Sequence, residues 1–202
     1  SLINLEGLDS LTALGALGII DNDVLTSIHG LAGVTKLLGY LLIKENSTLT
    51  SLMGLNNLDT LDNDTDIKIE NNESLLNIDA LNPSTNFENL QIINNDALLN
   101  IGGFSNVTNL VSCEIIGNDQ LIEISGFGSL TNLLYNFSIK DNGALESIEG
   151  FTNLLSVLNQ VEISNNDALS SLNGLNTLAF VNEEIIIEGG AFVNFEGLES
   201  LE

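Results

Sequence analysis

The sequence contains no tryptophan, one cysteine (Cys113), one proline (Pro83) and one histidine (His29), and its four basic residues are all lysines: Lys36, Lys44, Lys68 and Lys140. A single cysteine excludes an intrachain disulfide. A single histidine without a cysteine cluster supports no zinc site. No nucleophile–histidine–acid set can be assembled, so the expectation is that the chain is not an enzyme. No apolar run approaches the ~20 residues of a membrane span, so membrane insertion of this segment is not expected. Against 28 acidic residues the four lysines leave a net charge of -24. Such a field repels phosphate backbones and argues against nucleic-acid binding; it suits cation binding or solubility in salty surroundings.

What the chain does have is one phrase, repeated. Copies aligned on a closing glycine place Gly7, Gly30, Gly54, Ala80, Gly103, Gly126, Gly150, Gly174 and Gly197 at steps of 23, 24, 26, 23, 23, 24, 24 and 23 residues. A period this narrow specifies a solenoid. Within each copy an apolar–variable–apolar triplet recurs at Leu17/Ile19, Leu41/Ile43, Ile67/Ile69, Leu90/Ile92, Cys113/Ile115, Phe137/Ile139, Val161/Ile163 and Ile185/Ile187, which is the periodicity of a strand. The expected fold is mainly β: a single solenoid domain over residues 1–202 with about nine turns of 23–26 residues.

Three residues after each triplet stands an asparagine, at Asn22, Asn46, Asn72, Asn95, Asn118, Asn142 and Asn166; the last copy has Gly190 instead. Where the chain leaves a short strand and turns inward, its backbone polar groups lose their ladder partners and need others. An amide side chain offers two donors and an acceptor, so stacked copies predict an asparagine ladder. One copy buries too few side chains to offset the entropy of ordering its backbone. Stability therefore comes from stacking, turn on turn.

The run Leu14-x-x-Leu17-x-Ile19-x-x-Asn22-x-x-Leu25, again at Leu158-x-x-Val161-x-Ile163-x-x-Asn166-x-x-Leu169, resembles the leucine-rich-repeat signature. Followed by phrases such as Leu49-Thr-Ser-Leu52-Met-Gly54-Leu55-Asn-Asn-Leu58, it is most similar to the receptor L-domain branch, which includes bacterial and fungal cell-surface proteins. The resemblance covers nearly the whole chain. It implies a right-handed solenoid with one strand per turn, a secreted or cell-surface location, and ligand binding or adhesion with a protein or glycan as partner. The alternative is a non-binding structural spacer within a surface protein. Ser1 opens inside a repeat phrase and the chain stops after another, so the expectation is a segment of a longer protein, or one whose processing signals were removed.

Individuality is expected where the rule breaks. The longest step adds two residues within the acidic stretch Asp59–Asp66, and Asp62, Asp64, Asp66 and Glu73 occupy the first, third, fifth and twelfth positions of a calcium-loop spacing. Ile67, however, stands where that loop needs glycine, so a solvated acidic bulge is the competing reading. A second break, Asn82-Pro83-Ser84-Thr85-Asn86, replaces the usual connector and predicts a jutting or tightened loop. Cys113 occupies a strand position filled elsewhere by Leu17 or Phe137, the place of a small buried hydrophobe, with a reactive thiol as the other possibility. His29 lies in a column that tolerates every chemistry and is expected at the surface. On the outward strand face Ile93 and Ile116 should be neighbours, with Gln91 and Glu114 beside them, and this quartet is the candidate ligand-binding surface. Aliphatic side chains placed there by β-propensity alone are the competing explanation.

Overall fold

The apolar–variable–apolar triplets become strands because alternation sends their two apolar members to one face of a pleated ribbon, which is dry, and the variable member to the other, which is wet. In the computed structural model, which describes residues 1–202, eight such strands form one parallel sheet: β1 (Leu17–Ile20), β2 (Leu41–Lys44), β3 (Asp66–Glu70), β4 (Asn89–Ile93), β5 (Ser112–Ile116), β6 (Phe137–Lys140), β7 (Gln160–Ser164) and β8 (Glu184–Glu188). Spatial order follows chain order without interruption, so each strand lies beside the next. The register is equally uniform: Ile43 faces Ile69, Ile69 faces Ile92, Ile92 faces Ile115, and Ile115 faces Ile139 across successive strands. Only two single-turn 3-10 helices occur, His29–Leu31 and Glu149–Phe151.

The chain is thus a parallel β-solenoid of about seven turns, the intervals between eight strands. The nine aligned copies exceed this because the first, closed by Gly7, has no strand in the main sheet, and the remaining eight strands bound seven intervals. Inside the coil, 47 buried residues make one continuous apolar cluster. The glycine column has a steric cause. A Cβ added at Gly126 would run into the backbone carbonyl of Gly103 one turn below, and one added at Gly54 into that of Ile28. Backbone stacks on backbone at these two positions, which leaves no room for a side chain; Ala80 is the one member of the column with a Cβ.

Between each strand and its asparagine the chain reverses through one left-handed residue. Asp21, Glu45, Asn71, Asn94, Asp141 and Asn165 all have φ between 54 and 57°, and Gly117 takes the same place at 67°. Asparagine, aspartate and glycine tolerate this region best, which accounts for most of that column. The following asparagines then form the ladder. From Asn46 to Asn142 each Nδ2 donates to a carbonyl of its own strand, to a carbonyl of the previous turn and to the Oδ1 of the next ladder asparagine; Asn118, for example, bonds Ile116 O at 3.2 Å, Ile92 O at 3.0 Å and Asn142 Oδ1 at 3.1 Å. Its backbone N–H donates to the same Oδ1 at 3.0 Å. Six asparagines, Asn46 through Asn166, are buried this way.

Asn22 is different. It is half-buried, donates to Ile20 O and accepts from Leu2 N at 3.0 Å, so it closes the N-terminal end, and the Oδ1 of Asn46 is left buried without a partner. At the other end Gly190 stands in the next ladder position, so Asn166 still accepts from Asn142 at its Oδ1 but its Nδ2 keeps only the bond to Ile139 O.

The opposite flank is irregular. Two-residue strands stack as Ala13–Leu14, Lys36–Leu37 and Thr60–Leu61, and again as Asn109–Leu110, Asn132–Leu133, Ser156–Val157 and Phe180–Val181. The Asn82–Asn86 connector lies between the two stacks. It tightens: Pro83 is buried, and the Thr85 hydroxyl both accepts from Leu61 N at 2.8 Å and donates to Leu61 O at 3.1 Å, replacing the backbone pairing that the break removes. Beyond this break Phe87, Phe104, Phe127 and Phe151 form an internal aromatic column. Phe104, Phe127 and Phe151 stack nearly parallel, at centroid separations of 5.4 and 4.9 Å, and Phe137 meets Phe151 edge-on at 4.7 Å.

Candidate functional site

Register brings the four candidate residues of the sheet face together. Gln91 is the Cα partner of Glu114 and Ile93 that of Ile116, on adjacent strands β4 and β5. The alternation that buries Leu90, Ile92, Cys113 and Ile115 turns all four outward, where they are half-buried by their neighbours. Gln91 Nε2 donates to Glu114 Oε2 at 2.9 Å, which fixes the polar pair. The two isoleucines are bounded along their row by Glu70 and Lys140.

This face is also where positive charge collects. Lys44, Lys68 and Lys140 project from it, three of the four lysines in the chain. Each recorded ion pair includes one of them: Lys44 with Glu70 at 3.4 Å and with Glu45 at 3.6 Å, and Lys140 with Glu162 at 3.1 Å. The hydrogen bond and attraction of Glu70, followed by the charge of Glu45, hold the Lys44 ammonium above the ordinary lysine range. A chain of strongly negative charge therefore presents one mixed-charge surface with an aliphatic centre.

The calcium-loop spacing does not become a site. Asp62 and Asp64 are exposed on the bend before β3, closed by Thr65 N donating to Asp62 O at 3.0 Å. Asp66 is already in the strand, accepting from Asn89 Nδ2 at 2.8 Å. Glu73 lies past the far end of β3, whose five residues alone span about 13 Å. The straight strand from Asp66 to Glu70 replaces the sharp turn a calcium loop requires, and no group of three or more histidine, cysteine, aspartate or glutamate side chains is placed to hold a metal ion.

Cys113 is fully buried between turns. Burial first, and the neighbouring Glu114 carboxylate second, push its thiol well above the usual range, so it packs as a small hydrophobe and is not available as a thiolate. His29 is exposed at the start of its 3-10 turn. No helix is long and apolar enough to cross a membrane.

Sequence reasoning missed a pit one strand further along the same face. Ser138, the outward residue between Phe137 and Ile139, is registered between Glu114 and Glu162. The short side chain among longer neighbours opens a hollow of about 260 Å³ lined by Glu114, Ile116, Asn136, Phe137, Ser138, Lys140, Gln160 and Glu162. The available signal was the column Gln91, Glu114, Ser138, Glu162, in which serine alone is short. Comparison with protein-family models, with curated proteins and with solved structures finds no match to this chain.

Proposed function

We propose that the chain is an extracellular or cell-surface binding module, a right-handed leucine-rich-repeat solenoid of the receptor L-domain type, that recognises a protein or glycan through its exposed sheet face. The repeat signature supports the family assignment. The observation that carries the functional reading is the composition of the face: paired Ile93 and Ile116, the hydrogen-bonded Gln91–Glu114 pair, and the flanking lysines on an otherwise acidic molecule. An aliphatic centre rimmed by both signs of charge is suited to contact with a partner surface. The main-chain stacking beneath holds these side chains on a rigid support, which limits the ordering cost of binding.

Replacing Ile93→Asp together with Ile116→Asp is expected to abolish attachment of the fluorescently labelled chain to immobilised glycans, extracellular proteins and intact cells. The folded state should persist, since outward strand positions differ by about 1 kcal/mol each. Attachment retained in the double variant, with an intact melting transition, favours a spacer that holds other domains apart.

A further inference from the structure

The pit around Ser138 has an orphaned group at its floor. Ser138 is 7% exposed, and its hydroxyl is buried with no hydrogen-bond partner. Leaving a buried hydroxyl unpaired costs free energy, and Ser138 lies on the outward face of β6, in the lining of the pit, rather than inside the coil.

The walls present unused valences of both kinds. Asn136 Oδ1 accepts from Asn159 Nδ2 at 2.7 Å, so the Asn136 amide NH2 remains a free donor. Gln160 Nε2 donates to Glu184 at 3.2 Å, which leaves its carbonyl oxygen as a free acceptor. Glu114 uses Oε2 for Gln91 and retains Oε1. Lys140, held 3.1 Å from Glu162 Oε2, has further N–H donors.

We propose that this pit binds a neutral sugar, one hexose unit of a glycan, through its hydroxyl groups. A hydroxyl both donates and accepts, and the pit offers carboxylate and amide acceptors next to ammonium and amide donors within one small space. An ammonium ligand would use only the acceptors and meet Lys140; an anion would meet Glu114, Glu162 and the overall charge of -24. The volume lies below the ~300–1,000 Å³ of pockets for drug-sized ligands and suits a single ring. Ile116 supplies an apolar wall for the C–H face of that ring. The inference rests on the face-binding reading and names its ligand class.

The test uses the isotope-labelled chain titrated with methyl glycosides of glucose, galactose, mannose and N-acetylglucosamine at millimolar concentration, with n-butylammonium as comparator. Amide shifts are expected for at least one glycoside, centred on Glu114, Asn136–Lys140 and Gln160–Glu162. Ser138→Leu, which fills the hollow, should remove them. Ser138→Ala, which deletes the orphaned hydroxyl and keeps the space, should fold at least as stably as the parent and weaken the glycoside by about tenfold. No shift with any glycoside, shifts with butylammonium alone, or glycoside shifts that survive both variants would each overturn the sugar assignment. Loss of attachment in the Ile93/Ile116 double variant alongside such a result would keep the binding face and remove only its sugar subsite.

Discussion

The middle of the solenoid and its two ends follow the same sequence rule with different physical outcomes. From β3 to β7 every ladder asparagine is buried, each strand is paired on both edges, and the phenylalanine column runs through consecutive turns. At the N-terminal end Leu2 and Ile3 are exposed and Asn22 has traded the ladder for a bond to Leu2 N. At the C-terminal end β8 is only half-buried even at Ile185 and Ile187, Gly190 cannot extend the ladder, and Phe195 is 67% exposed. The same side chain is therefore worth little at a terminus and much in the centre, because stabilisation in a stacked coil comes from having a neighbour on each side.

The largest expected effect is at the aromatic column. Phe127→Ala should lose about 3–5 kcal/mol in urea unfolding, whereas Phe195→Ala should stay within about 0.5 kcal/mol; equal losses would show that the ends are as tightly held as the centre. The ladder should sharpen the contrast. Asn118→Ala strands carbonyls on two turns as well as the Asn95 N–H donors that its Oδ1 accepts, and is expected to cost about 1–3 kcal/mol, while Asn22→Ala should cost less because water replaces its bonds. A melting temperature unchanged by Asn118→Ala would remove the ladder from the account of stability.

The smallest effect concerns Glu199, whose carboxyl is held below the ordinary carboxylate range, chiefly by the Gly197 backbone N–H and then by its own. A depressed folded-state value stabilises above the unfolded range and is lost as pH falls through the folded one. Hydrogen exchange in the final phrase, near Gly197, should accordingly quicken below about pH 4.5 relative to Glu199→Gln. The Asn118 turn should show no such difference between the two chains.

The strands, their register and the placement of the outward quartet were legible in the sequence because period and alternation are statements about burial, and burial dominates a repeat. Four features were not. The number of turns depended on strands, and Gly7 marks a closing phrase whose copy has none. The acidic spacing from Asp62 to Glu73 matched a loop only as a string; Ile67 and Ile69 had already committed its middle to a straight strand. The pit was illegible because no residue in it is unusual. It exists through the difference in length between Ser138 and the flanking Glu114 and Glu162, a relation between turns two dozen residues apart. The Pro83 break was visible, but not that the Thr85 hydroxyl would stand in for a missing amide.

The amide chain from Asn46 to Asn166 has one direction, each donor reaching toward the next Oδ1 along the polypeptide. Within the ladder, every internal junction is consequently interchangeable with every other. A gene encoding this chain can gain or drop a unit of 23 or 24 residues between two such asparagines, and each new junction meets the chemistry the old one had. Reach along the axis is in this sense a heritable variable, adjustable in steps of about 4.8 Å without redesigning the ladder.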